Sequence, residues 1–172
     1  VQAIPYLTAV LEDAQQAPMV RHEAAEALGA IGCQSSVKLL ERYKDDPVVE
    51  VAETCQLALE RIHWLNSNQK QDVSLSESPY NSVDPAPPSG LNDENNLKSV
   101  LLDETESLFN RYRAMFSLRN LGTRQAALAL GSALKSGSAL FRHEVAFVLG
   151  QMQNDASVPY LKESLEDAGE NE

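Results

Sequence analysis

Cysteine is scarce: Cys33 and Cys55 are the only two in 172 residues. They stand in no Cys-x-x-Cys spacing, and Cys55 falls inside a helical pattern, so buried free thiols are expected rather than a disulfide framework. No apolar run approaches the roughly 18–20 residues that cross a bilayer, and no charged-then-apolar stretch of leader type occurs. Positive charge is also in short supply. There are 14 Lys and Arg against 25 Asp and Glu, a formal net charge of −11. That balance argues against nucleic acid, whose phosphates require a basic face, and favours a cationic partner or plain solubility. No Gly-rich phosphate loop and no nucleophile elbow is present. What is left is an intracellular globular chain, 43% hydrophobic and long enough for one or two small domains with real cores.

The periodicity that is present is helical throughout. Ile4-Pro5-Tyr6-Leu7 through Val10 and Leu11 places apolar residues on one side of a helix that ends near Asp13. A second helix is predicted from Pro18 to Ile31, opened by proline and stopped by Gly32. Ser35 or Ser36 is placed to cap a third, with Val37, Leu39, Leu40 and Tyr43 on its apolar face. Asp46-Pro47 reads as the cap and first residue of a fourth, running through Val51, Cys55, Leu59 and Ile62.

These helices repeat. Pro47-Val48-Val49-Glu50-Val51-Ala52 lies over Pro18-Met19-Val20-Arg21-His22-Glu23, and Arg111-Tyr112-Arg113-Ala114-Met115-Phe116 lies over Arg142-His143-Glu144-Val145-Ala146-Phe147. Helix pairs recurring at about 30 residues define an all-α, HEAT-like α-solenoid, each unit burying its face against the next. A longer repeat lies over the short one: Val158-Pro159-Tyr160-Leu161 and Leu165-Glu166-Asp167-Ala168 restate Ile4-Pro5-Tyr6-Leu7 and Leu11-Glu12-Asp13-Ala14. The chain therefore reads as two pseudo-symmetric halves, 1–65 and 93–172. Between them, over 66–92, apolar periodicity vanishes and four of the eight prolines gather (Pro79, Pro85, Pro87, Pro88), as in a flexible or extended linker that Tyr80 and Val83 are placed to pin.

Two slots in this repeat carry chemistry. Arg21-His22-Glu23 and Arg142-His143-Glu144 each sit about one turn inside a helix, the first behind Pro18 and the second behind Ser138 as N-cap. Neighbouring helical residues point about 100° apart. An adjacent His and Glu can thus reach one ion only along a shared edge, with further ligands from other helices. The matching register predicts that His22 and His143 lie at equivalent depths. Arg21 and Arg142 are read either as orienting a carboxylate beside the pair or as making solvent salt bridges. Glu26 and His63 read as a solvated face residue and a helix-end histidine, and Tyr112, in a His slot, reads as core. By the same register, further His-Glu pairs are expected before residue 1 and beyond Glu172, so that the chain is an interior piece of a protein with four such pairs.

With these stretches together, the sequence resembles the deoxyhypusine hydroxylase family, HEAT-repeat di-iron monooxygenases with four His-Glu motifs. The runs that carry the likeness are 18–32, 46–59, 82–88, 111–118 and 137–151. The resemblance implies iron ligation by His22, Glu23, His143 and Glu144 as the second and third motifs, with two Fe(II) ions in the complete protein. It implies hydroxylation, with molecular oxygen, of the deoxyhypusine side chain on eukaryotic translation initiation factor 5A, in the cytoplasm. Glu144 is the candidate to hold the cationic amine of that substrate. No nucleic-acid or membrane partner is implied. The alternative reading is a non-catalytic HEAT-repeat protein-binding scaffold whose His-Glu pairs are structural.

Overall fold

The computed structural model describes residues 2–67, 75–91 and 93–170. Among these every regular element is helical, as the helical periodicity on either side of the linker demands: α1 Ile4–Glu12, α2 Pro18–Ile31, α3 Val37–Tyr43, α4 Val49–Asn66, α5 Glu94–Leu102, α6 Leu108–Leu121, α7 Arg124–Ser132, α8 Ala139–Met152 and α9 Val158–Glu166. No helix among them is long and apolar enough to cross a membrane.

Local signals set most of the ends. Pro18 opens α2, where its missing N–H costs nothing, and Gly32 closes it in the left-handed region at φ 70°, donating its N–H to Leu28 O. A side chain at Gly32 would be strained by that φ. The Ser138 hydroxyl accepts the Phe141 N–H at 3.1 Å and so caps α8. Two expectations are corrected. Ser36 precedes α3 but makes no capping bond, because a 3₁₀ turn at Gln34–Ser36 already winds into the helix. Asp46-Pro47 does not start α4, which begins at Val49. The Asp46 carboxylate accepts the Val48 N–H at 2.9 Å but is also bound by Arg21, which holds it outside the helix.

The chain divides into two compact units, Val1–Val73 with Val83–Ala86, and Ser74–Ser82 with Pro87–Glu172. In the first, α2 and α4 pack side by side, with α1 laid on α2 and α3 on α4. Leu11, Ala24, Ala25, Leu28, Leu40, Val51, Cys55 and Ile62 form its core. The approach of α2 to α4 is close because Gly29 faces Ala58: a Cβ on Gly29 would stand 2.7 Å from the Ala58 Cβ. Burial pushes the Cys55 thiol up to about 12, so this sulfur is an inert core atom. In the second unit α6 and α8 pack side by side, and α5, α7 and α9 follow one another on the other layer. Here Tyr112 meets Phe116 and Phe141 edge-on at 6.2 and 5.7 Å, so it is core as read.

Leu28 and Leu149 are closed core positions, 0% and 1% exposed. Either leucine replaced by alanine should lose about 2–5 kcal/mol in chemical denaturation. A loss below about 0.5 kcal/mol, the range of a surface change, would contradict the placement.

Of the stretch read as a linker, residues 68–74 and 92 lie outside the described residues. Its later part is tied down within the second unit by Arg119, which is fully buried. The guanidinium donates to Ser78 Oγ and Gln151 Oε1, both at 3.0 Å, and lies over the Tyr80 ring at 5.0 Å. Val83 is exposed.

Candidate metal-ligand pairs

His22 stands in the second turn of α2, 5% exposed, with its ring turned onto α4. Its Nδ1 lies 3.5 Å from Thr54 Oγ1. Its Nε2 lies 3.7 Å from Glu23 Oε1 and 3.0 Å from Met19 Sδ. The shared edge required of an adjacent His and Glu therefore exists: Nε2 and a carboxylate oxygen face the same space, and Glu23 itself is exposed. Imidazole nitrogen beside carboxylate oxygen is a donor set that suits non-haem iron. Glu26, one turn on, is half-buried rather than solvated. Burial, and then the Glu23 charge, push its carboxyl above the usual range. The solvated reading of Glu26 is thus corrected: it stands partly buried one turn from the pair.

Arg21 does not orient Glu23. It points into the core, where Nη2 meets Asp46 Oδ2 at 2.7 Å, Nε donates to Leu11 O at 3.1 Å, and the guanidinium lies 5.6 Å from the Tyr43 ring centre. Burial alone would raise the Asp46 carboxyl; the Arg21 hydrogen bond, the Val48 N–H and the Arg21 charge outweigh it and hold Asp46 below the usual carboxylate range. One buried arginine thus joins the end of α1, the start of α2 and the turn before α4, and fixes how α2 is rotated about its axis. Arg111 repeats part of this in the second unit, donating through Nε to Leu101 O at 3.0 Å.

His143 and Glu144 occupy the same register on α8, but not the same depth. His143 is exposed and Glu144 half-buried. Equivalent depth was expected from register, and the packing shows why register was insufficient. The residue in this slot is covered by the next helix of its layer: His22 by Thr54 of α4, and Tyr112 by Phe141 of α8. Among the described residues no later helix of that layer packs on α8. Arg142 turns back to bond Glu170 (2.8 and 2.5 Å) and Gly137 O (2.7 Å), again not the neighbouring glutamate.

Among the described residues no three His, Cys, Asp or Glu side chains are grouped closely enough to hold an ion. Each pair offers two donors within its own unit. His63 is exposed in the last turn of α4, as its reading required.

Comparison with known proteins bears on both units. Residues 1–60 match a HEAT-repeat family, and residues 111–136 and 141–167 match the PBS lyase HEAT-like repeat. The chain is 60% identical over 172 residues to deoxyhypusine hydroxylase of Drosophila melanogaster, covering 99% of this chain and 56% of that protein. It is 59% identical to the Gallus gallus protein of the same name (98% and 56% covered) and 55% identical to that of Homo sapiens (99% and 55%). A solved structure of human deoxyhypusine hydroxylase in complex with glycerol superposes with a TM-score of 0.90 at 55% identity, covering 99% of this chain and 58% of that one. The chain spans about half the length of the relatives it matches.

Proposed function

We propose, for a chain that belongs by sequence and by fold to the deoxyhypusine hydroxylase family, that it forms part of an iron-dependent monooxygenase acting on the deoxyhypusine side chain of eukaryotic translation initiation factor 5A. The observation that carries the reading is the edge shared by His22 Nε2 and Glu23 Oε1, 3.7 Å apart, in a helical register that recurs at His143-Glu144. His22, Glu23, His143 and Glu144 would hold iron, two ions in the complete protein, with the remaining ligands supplied by further His-Glu pairs. Bound iron would supply the activation of molecular oxygen. The scaffold alternative draws no support from relatives that are hydroxylases by name.

The chain's own residues have distinct parts in this reading. Arg21 and Asp46 fix the rotation of α2, and Ser138 fixes the start of α8, so both His-Glu pairs ride on rigid helices rather than loops. Glu144, half-buried beside its histidine, is the candidate to receive the protonated amine of the substrate. The net charge of −11 steers a cationic side chain on a basic loop toward the site. Free thiols at Cys33 and Cys55 accord with a reducing, cytoplasmic setting.

The test is to load the complete protein with ferrous iron, supply oxygen and the deoxyhypusine-bearing factor, and follow the substrate by mass spectrometry. The reading expects a gain of one oxygen atom on the modified lysine, dependent on iron. An unchanged substrate mass with iron bound at stoichiometry would contradict it.

A further inference from the structure

We propose that Thr54 is a positioning residue which fixes the ring tautomer of His22 and so decides that Nε2 is the nitrogen offered to a metal. The assignment rests on the metal-ligand reading above only in what Nε2 binds; the tautomer itself is a property of the metal-free chain. Thr54 is 4% exposed on a face of α4 otherwise made of Val51, Cys55, Ala58 and Ile62. A hydroxyl has one proton to give. Thr54 gives it to Glu50 O at 2.8 Å, the short bond back along its own helix. What Oγ1 turns toward His22 is therefore a lone pair, at 3.5 Å from Nδ1. Only an Nδ1–H satisfies that lone pair, and a neutral imidazole with its proton on Nδ1 has its own lone pair on Nε2.

On the other side of the ring Nε2 stands beside Glu23 Oε1; that carboxylate would draw a proton to Nε2, but at 3.7 Å it lies beyond hydrogen-bond reach and is itself exposed to solvent, so its pull is the weaker one. The Met19 sulfur, 3.0 Å from Nε2, would compete for a proton there, but thioether sulfur is a weak acceptor beside a hydroxyl oxygen. The covering residue also matches its slot by type. Where the slot holds Tyr112 the next helix presents the Phe141 ring, and where it holds His22 the next helix presents a hydroxyl. Ligating histidines generally have the second nitrogen held by such a partner, and its loss typically weakens metal binding about 10–100-fold.

Two-bond nitrogen–proton correlations of the ¹⁵N-labelled 172-residue chain read the tautomer directly. They are recorded at about pH 8, above the ordinary imidazole pKa of about 6.5, with His22 assigned by its disappearance in His22→Gln. Nδ1–H is expected in the unsubstituted chain and in Thr54→Ser, which keeps the hydroxyl, and Nε2–H in Thr54→Val, which keeps the shape. Nε2–H in the unsubstituted chain, or one tautomer in all three, overturns the assignment. A second arm titrates ferrous iron into the complete protein, where Thr54→Val should bind about 10–100-fold more weakly and Thr54→Ser should restore affinity. Equal affinity in all three overturns the link from tautomer to metal. If the tautomer follows Thr54 but His22→Gln leaves iron binding untouched, the metal reading fails while the tautomer assignment stands.

Discussion

Arg21→Ala is expected to cost about 3–5 kcal/mol, because it leaves the Asp46 carboxylate buried without its cation. Side-chain exposures of 7% and 5% put both charges in the interior, and removing one partner uncovers the desolvation of the other. The same change also orphans Leu11 O, a carbonyl at the end of α1. Urea denaturation of the chain should show the loss in the unit that contains α1 to α4. A cost below about 1 kcal/mol, the ordinary worth of an exposed pair, would show that the pair is not load-carrying in this way. The pH dependence follows from the sign of the Asp46 shift. Its folded value lies below the reference 3.8, so the stabilisation is fully present above that value and is lost as pH falls through the lower folded one. Asp46→Asn should remove this acid limb and lower stability at neutral pH. A limb of unchanged size in Asp46→Asn would assign it to another carboxylate.

In the complete protein, His22→Ala or His143→Ala is expected to lower bound iron and abolish hydroxylation while far-UV circular dichroism stays nearly unchanged. Neither side chain belongs to the apolar core: His143 is exposed, and His22, though buried, lies between Thr54 and the exposed Glu23. The two variants should differ in stability, since only His22→Ala leaves a gap against α4. Full iron occupancy in both variants would move the ligand role to other residues.

Much of this arrangement is legible in the chain itself because its signals are local. Pro18, Gly32 and Ser138 mark helix ends locally, the proline through its missing N–H and the other two through bonds made within four residues, and the structure places the ends there. The His-Glu slots were legible for a different reason: a repeat puts comparable residues at comparable registers, so His22 and His143 fall on the same turn of their helices. What register does not carry is who covers the slot. The depth of His22 comes from Thr54, 32 residues away, whereas among the described residues no helix of its layer covers His143. Asp46 is the same case. As a local signal Asp-Pro starts a helix, but a guanidinium 25 residues away holds the carboxylate outside it. Arg119, buried among Ser78, Tyr80 and Gln151, gave no signal as a lone basic residue in a helical pattern.

The number of donors each unit supplies sets how tightly iron can be held. With two donors in each pair and no third ligating side chain grouped with either among the described residues, neither pair by itself reaches the three or more protein ligands that usually hold non-haem iron. Iron content per chain, measured after anaerobic loading and desalting, should therefore be far below stoichiometric for this chain. It should reach two ions in a protein extended to the full length of the relatives, with hydroxylation of the deoxyhypusine substrate in the extended protein alone. Equal iron and equal turnover in both would contradict the account and confine the site to His22, Glu23, His143 and Glu144.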